Sequence, residues 1–310
     1  MSGNCLVIGD LNLDLVFTGI KGSPELGTEI TAKSYSIDIG GSGGVFSTIL
    51  SGLGINTYII SKIGNDGFAD FIKDKLKSFG VKIDKLVVES NQCTGVTVSL
   101  SYAEDKYQFS SVKLLEEFRI NDIVFKDIKN VGHVHFSSYY IMTGLHNNYL
   151  KIIKNIKSYY GNVTFSMDTN DDPKNKWGKE IYNILNNIDI FFVNKKEALM
   201  ITKKSKVEDA LNKLGKEVKI VIIKLGSNGY IAKDGNDIYK GESLSVNYKD
   251  STAAGDNFDA GFIYGFVNNL EVKKSLNIAN ICGAKSVEYI GGVGGKQKFV
   301  KVKKLIGKVI

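Results

Sequence analysis

The chain has 310 residues, a net charge of +7, and 43% hydrophobic and 24% charged content, enough to bury a large core in one or two domains. Its positive charge is nearly all lysine, with Arg119 the only arginine, so the planar forks that read bases are missing and no nucleic-acid partner is expected. No apolar run approaches the roughly 18 residues of a membrane span, no start resembles a secretory leader, and Cys5, Cys93 and Cys282 show no paired spacing, so a cytoplasmic protein without a membrane partner is expected.

Residues 5–8 form an apolar run ending on Gly9 and Asp10, and residues 11–15 alternate apolar with polar. This predicts a strand, a turn and a half-exposed strand. Strand character over 29–39 closes on the glycine cluster that begins with Gly40 and Gly41, and helical spacing follows from Val45 to residue 53. Residues 57–63 read as a buried strand and 68–79 as an amphipathic helix. Segments 94–100 and 107–112 read as a hairpin around Ala103, Glu104 and Asp105. From residue 131 the pattern is regular. Strands at 131–136, 163–167, 188–193 and 220–225 alternate with helices at about 146–159, 179–185, 195–202 and 207–215. Such alternation predicts a three-layer α/β/α fold around a mostly parallel sheet covered on both faces. The early strands, at about 13–39 and 94–112, interrupt this pattern and predict a small antiparallel sheet appended to a single domain spanning 1–310.

Ligands of open parallel sheets bind beyond the carboxyl ends of the strands. Asn12 and Asp14, Asp168 and Asn170, and Asn194 and Glu197 all fall there. Each pair also has a local reading: Asn194 and Glu197 fit a helix-capping box, and Asp168 and Asn170 fit a turn. Together they describe one polar crevice more economically than independent turns do. Residues 250–265, DSTAAGDNFDAGFIYG, carry the strongest signal. The small residues Ala253, Ala254 and Gly255 let the backbone approach an anion at the start of a helix. Asp256 beside them suits a base taking a proton from a hydroxyl, or simply an acid complementing the helix dipole. Gly226 and Gly229 would let a nucleotide approach the backbone, and Lys224 before them is either a solvated charge or a phosphate contact.

Other chemistries fit poorly. There is no Walker-type G-x-x-x-x-G-K-[ST] loop, and the glycines at 40–44 lack dinucleotide-binding spacing. His133 and His135 share one face of a strand without a third ligand at fixed spacing, which reads as core rather than metal site.

The motifs in order resemble the ribokinase-like, or pfkB, family of sugar and nucleoside kinases along nearly the whole chain. They comprise GDLNLD at 9–14, GGSGG to GLG at 40–54, SKIGNDGFADFIKDKLKSFGV at 61–81, TGV at 94–96, the D-x-N at 168–170, NKKEA at 194–198, KLGSNG at 224–229, DSTAAGDNFDAGF at 250–262 and ANICGA at 279–284. The resemblance implies an ATP- and Mg2+-dependent phosphotransferase acting on a hydroxyl of a monosaccharide or related polyol. Asp256 would be the base, and the backbone of Ala253, Ala254, Gly255 and Asp256 the anion hole. Asn12, Asp14, Gly40, Gly41, Val45, Asp168 and Asn170 would face the acceptor, while Asn194, Lys224, Gly226, Gly229 and Asn280 would face the nucleotide. Glu197 would organise hydrated magnesium, and Asp250 with Thr252 a monovalent cation such as K+. The early strands would form a lid and a homodimer contact. A nucleoside acceptor, or a binding protein with weak turnover, stays open as an alternative. Two positions depart from the family pattern. Ala253 replaces the first glycine of a G-A-G-D loop, which would cost about 1 kcal/mol if that residue needs positive φ. Val45 stands where many relatives have asparagine, and it can neither donate nor accept.

Overall fold

Six consecutive parallel strands form because their sequences are apolar on both sides and therefore stable only between two helical layers. A computed structural model describes residues 3–102 and 106–310, and the expected turn at 103–105 lies outside them. The strands are β1 (Asn4–Ile8), β2 (Asn12–Thr18), β3 (Ser34–Gly40), β4 (Thr57–Ile60), β5 (Lys62–Gly64), β6 (Val87–Glu89), β7 (Val96–Ser101), β8 (Lys106–Ser111), β9 (Val131–Phe136), β10 (Thr164–Asp168), β11 (Ile190–Asn194), β12 (Ile220–Lys224), β13 (Tyr230–Asp234) and β14 (Asp237–Gly241). The helices are α1 (Ser42–Leu53), α2 (Gly67–Ser78), α3 (Lys113–Glu116), α4 (Tyr149–Tyr160), α5 (Tyr182–Leu185), α6 (Lys195–Thr202), α7 (Val207–Leu214), α8 (Ala254–Val267), α9 (Val272–Ser286) and α10 (Lys296–Ile306).

The main sheet runs β14-β13-β12-β11-β10-β9-β1-β4. Its strands are parallel from β12 to β4, and only β13 and β14 pair antiparallel. Successive strand residues feed opposite cores, as the period-2 geometry requires. Leu6, Ile8, Phe191, Val193, Val221 and Ile223 pack in one core with α4 to α7. Cys5, Val7, Ile190, Phe192, Ile220 and Ile222 pack in the other with α1, α2 and α8 to α10.

The small sheet runs β3-β2-β7-β8. Its outer pairings are antiparallel, and its central β2–β7 pairing is parallel. Register puts Ile37, Leu15, Val98 and Phe109 in one cross-strand row and Tyr35, Phe17, Leu100 and Tyr107 in the next. Tyr35 and Phe109 are 64% and 60% exposed. The alternate residues Asp14, Thr97 and Ser110 form a row on the opposite face.

Several boundaries differ from the sequence expectation. Residues 29–33 are not strand, because the partner β2 ends at Thr18, opposite Ser34. The expected strand at 57–63 breaks at Ser61, where the chain leaves β1 and pairs with β6 instead. The β13–β14 hairpin was not anticipated, although Asp234 followed by Gly235 is a hairpin signal.

Candidate active site

The carboxyl ends of the parallel strands converge on the start of α8. Asp10 follows β1, Ser137 and Ser138 follow β9, Asp168 ends β10, Asn194 ends β11 and Lys224 ends β12. Gly41, at φ 77°, heads α1 without a capping side chain. Asp10 performs that task from the neighbouring strand, accepting from the Ser42 and Gly43 amides at 3.1 and 3.0 Å and from Ser137 Oγ at 3.0 Å. A side chain at Gly40 would overlap the Asp14 carboxylate, so glycine there is what admits Asp14 to the cleft.

Charge is concentrated in this crevice. Lys224 Nζ lies 2.6 Å from Asp259 Oδ2, and a Cβ at Gly255 would stand 3.1 Å from the same ammonium. Burial works to lower the Lys224 pKa, and Asp259, Glu197 and Asp168 more than offset it, so the group stays cationic. Burial pushes Asp256 up to about 7; Asp168 and Asp10 add to the rise, while Lys224 and the Ser42 hydroxyl oppose it. Burial likewise raises Asp168 to about 6 against the pull of Lys224 and the Ser138 N–H. Several carboxylates around one ammonium leave excess negative charge, a setting that suits a hydrated divalent cation. Among the described residues, no three ligating side chains cluster closely enough to hold a metal directly.

His133 and His135 are core residues. Both bond Ser166 Oγ at 2.8 Å, and His135 Nε2 lies 3.3 Å from Asp168 Oδ2. Burial lowers both to about 3, so they are neutral.

The loop at 251–256 divides two cavities. On one side Thr252, Ala253 and Asp256 line a cavity of about 500 Å3 with Asn12, Asp14 and Gly41. On the other, Ser251, Ala254 and Gly255 line a cavity of about 590 Å3 with Lys224 and Asn280. Ala253 adopts φ 57°, ψ 19°, the left-handed conformation its glycine counterpart would take freely. The Gly255 and Asp256 amides head the first turn of α8, where no helical carbonyl is available. The Ala254 amide is instead engaged with Ser251 O at 3.2 Å.

In the first cavity Asn12 Nδ2 donates to Thr97 Oγ1 at 2.6 Å, and Thr97 Oγ1 lies 2.9 Å from Ser110 Oγ. Asn12 Oδ1 is buried with no hydrogen-bond partner. Val45 and Asn170 line the same cavity, whereas Gly40 and Asp168, expected to face the acceptor, are not among its lining residues. The wall also holds Asp10, Ser42, Gln108 and Asp171, which the sequence did not single out. Only strand register reveals Gln108 and Ser110; Asp10 was legible as a polar residue at the end of β1.

Gly226 and Gly229 line the second cavity together with Phe258 and with residues of the 243–248 segment, which no motif marked. Asn280 Nδ2 donates to Glu242 O at 2.8 Å, bridging α9 and the end of β14. Asn194 and Glu197 form the reciprocal capping box, and Glu197 Oε2 also accepts from Thr169 Oγ1 at 3.1 Å. Asp250 Oδ1 accepts from the Thr252 amide and hydroxyl at 3.0 and 2.8 Å, and its Oδ2 from the Gly291 amide at 2.9 Å.

A large parallel sheet with a small covering sheet and a cleft at its carboxyl edge is the ribokinase-like architecture of sugar and nucleoside kinases. The pfkB family carbohydrate kinase pattern matches residues 2–298, and the chain belongs to that family. It is 27% identical over 300 residues to an ATP-dependent 6-phosphofructokinase of Thermoanaerobacterium thermosaccharolyticum, covering 93% of this chain and 89% of that one. It is 25% identical over 302 residues to a Lactococcus lactis ribokinase, covering 96% and 95%. An E. coli protein assigned as ribokinase II and solved with ATP and Mg2+ superposes with a TM-score of 0.85 at 23% identity, over 99% of both chains.

Proposed function

We propose that this carbohydrate kinase transfers the terminal phosphoryl group of ATP to a hydroxyl of an unphosphorylated monosaccharide or polyol. The observation that carries the reading is the 251–256 loop, which presents Thr252, Ala253 and Asp256 to one cavity and Ser251, Ala254 and Gly255 to the other, and so can bring an acceptor and a nucleotide to one point. Asp256, poised near pH 7, takes the acceptor proton as the oxygen attacks phosphorus and the bond to ADP breaks. The Gly255 and Asp256 amides and the Lys224 ammonium stabilise the charge on the phosphoryl oxygens. Mg2+ would arrive with the nucleotide and neutralise phosphate charge, with Glu197 and Asn194 facing its water shell. Asp250 would need to release the Thr252 hydroxyl to ligate a monovalent cation fully.

Two features of the first cavity support the acceptor class. Its described lining has four carboxylates, from Asp10, Asp14, Asp171 and Asp256, and no lysine or arginine. A phosphorylated acceptor would bring about two negative charges beside these carboxylates, and Lys196, which reaches the lining residue Asp171 at 2.8 Å, is already engaged with it. It also has no aromatic ring, so the base of a nucleoside would find no stacking partner there. Asn12, with Nδ2 committed to Thr97, offers Oδ1 to a hydroxyl donor.

The test is ATP consumption by purified protein with Mg2+ across neutral sugars, polyols, sugar phosphates and nucleosides. Turnover confined to neutral sugars or polyols is expected, and efficient turnover of a sugar phosphate or nucleoside would overturn the acceptor assignment.

The outer face of the small sheet, with its two apolar rows, supports a homodimer in which two such faces pack together.

A further inference from the structure

Lys298, in the first turn of α10, is 2% exposed and has no part in the chemistry above. Its Nζ donates to Asn257 Oδ1 at 2.6 Å and to Val293 O at 3.1 Å. Asn257 Nδ2 in turn donates to Ala253 O at 2.8 Å and Gly292 O at 2.9 Å. The Asn257 backbone amide reaches the same Ala253 oxygen at 3.0 Å. One residue, adjacent in sequence to Asp256, thus ties the left-handed Ala253 to the 292–293 segment, and the lysine supplies the donor recorded for its amide oxygen. A charged donor makes this a strong bond, and its loss would leave a buried oxygen unpaired.

Burial lowers the Lys298 pKa to about 8, with Cys282 and Asp38 opposing, so the ammonium predominates at neutral pH. Burial holds the Cys282 thiol neutral by pushing it up to about 12, and Asp38 is already paired with Lys75 at 2.5 Å. Its two bonding partners, Asn257 Oδ1 and Val293 O, are neutral, and a buried ammonium held that way is expensive to retain.

Resting on the kinase reading, we propose that Lys298 is a positioning residue for phosphoryl transfer: through Asn257 it fixes the Ala253 carbonyl, and with it the turn that aims the Gly255 and Asp256 amides and the Asp256 carboxylate into the cleft.

Lys298→Met keeps an unbranched side chain one atom shorter and loses the donor. Expected is a kcat lower by about ten- to a hundredfold with the acceptor KM changed by no more than about twofold. A kcat at the wild-type level would overturn the assignment. Asn257→Asp keeps the lysine contact but turns a carboxylate oxygen toward Ala253 O and Gly292 O, so it is expected to lower kcat alike and to decide the matter if Lys298→Met does not fold. Thermal stabilisation by ATP and by ADP with aluminium fluoride gives a readout without turnover. Both variants should keep the first and lose most of the second, and full retention of both would also overturn the assignment. If the wild-type protein turns over no acceptor, the kinase reading fails; if the variants then still lose the ADP–aluminium fluoride stabilisation that the wild type shows, the positioning of the loop by Lys298 stands.

Discussion

Lys224 and Asp259 form a buried ion pair at 2.6 Å between the end of β12 and the first turns of α8, with Asp259 inaccessible to solvent. The pair fixes a positive charge against Gly255, at the loop shared by both cavities. Removing one partner of such a pair strands the other charge, at a cost of about 3–5 kcal/mol. Asp259→Ala should lose about that much in urea unfolding, and Lys224→Met combined with Asp259→Leu should recover most of it. A single variant with wild-type stability would show that the charge is solvated instead.

Asp256→Asn should lower kcat by about 10²- to 10⁴-fold, the usual worth of a general base. Stabilisation by ATP should persist. Comparable turnover would remove the base assignment.

The pH dependence of Asp256 has a definite sign. Its folded pKa of about 7 lies above its ordinary value of 3.8, so the fold disfavours the ionised form. This contribution to stability is present in full below about pH 4 and is lost as pH rises through 7. Catalysis needs the ionised form, so kcat/KM should fall as pH drops below about 7. Chemical denaturation at pH 4 and pH 8 should find Asp256→Asn gaining on wild type only at the higher pH.

Ala253→Gly removes a left-handed alanine worth about 1–2 kcal/mol of strain and adds unfolded-state entropy worth about 0.5–1 kcal/mol. A small net gain in stability is expected, with kcat preserved. Calorimetry showing a clear loss would mean that the methyl group packs usefully against Gly292.

Phe109→Lys places a charge in the exposed apolar row of the small sheet. Sedimentation should shift from dimer to monomer. A monomeric wild-type protein would refute the proposed interface.

Much of the architecture was legible because it is written locally. Alternating apolar strands and amphipathic helices after residue 131 were readable by period, and strand β9 lies where expected. Polar residues at strand ends pointed to the crevice because a parallel sheet aligns those ends. Thr97 and Ser110 were not legible as cavity residues: one residue of slip in β2, β7 or β8 would turn them to the other face. The Asn194–Glu197 pair had two readings, and its capping-box geometry is now plain, with the carboxylate also reaching Thr169.

The sequence by itself determined the layers, the family and the small-residue, acid-bearing composition of the 250–265 loop, since these depend on residue type and short spacing. Only the tertiary structure decided that the loop faces two cavities, that Asp10 caps a helix 32 residues away, and that Lys298 reaches Asn257 across 41 residues. The same is true of the field around Asp256, because the burial and the Asp168 charge that raise it, and the Lys224 charge that opposes them, come together only when separate strands meet at one edge of the sheet.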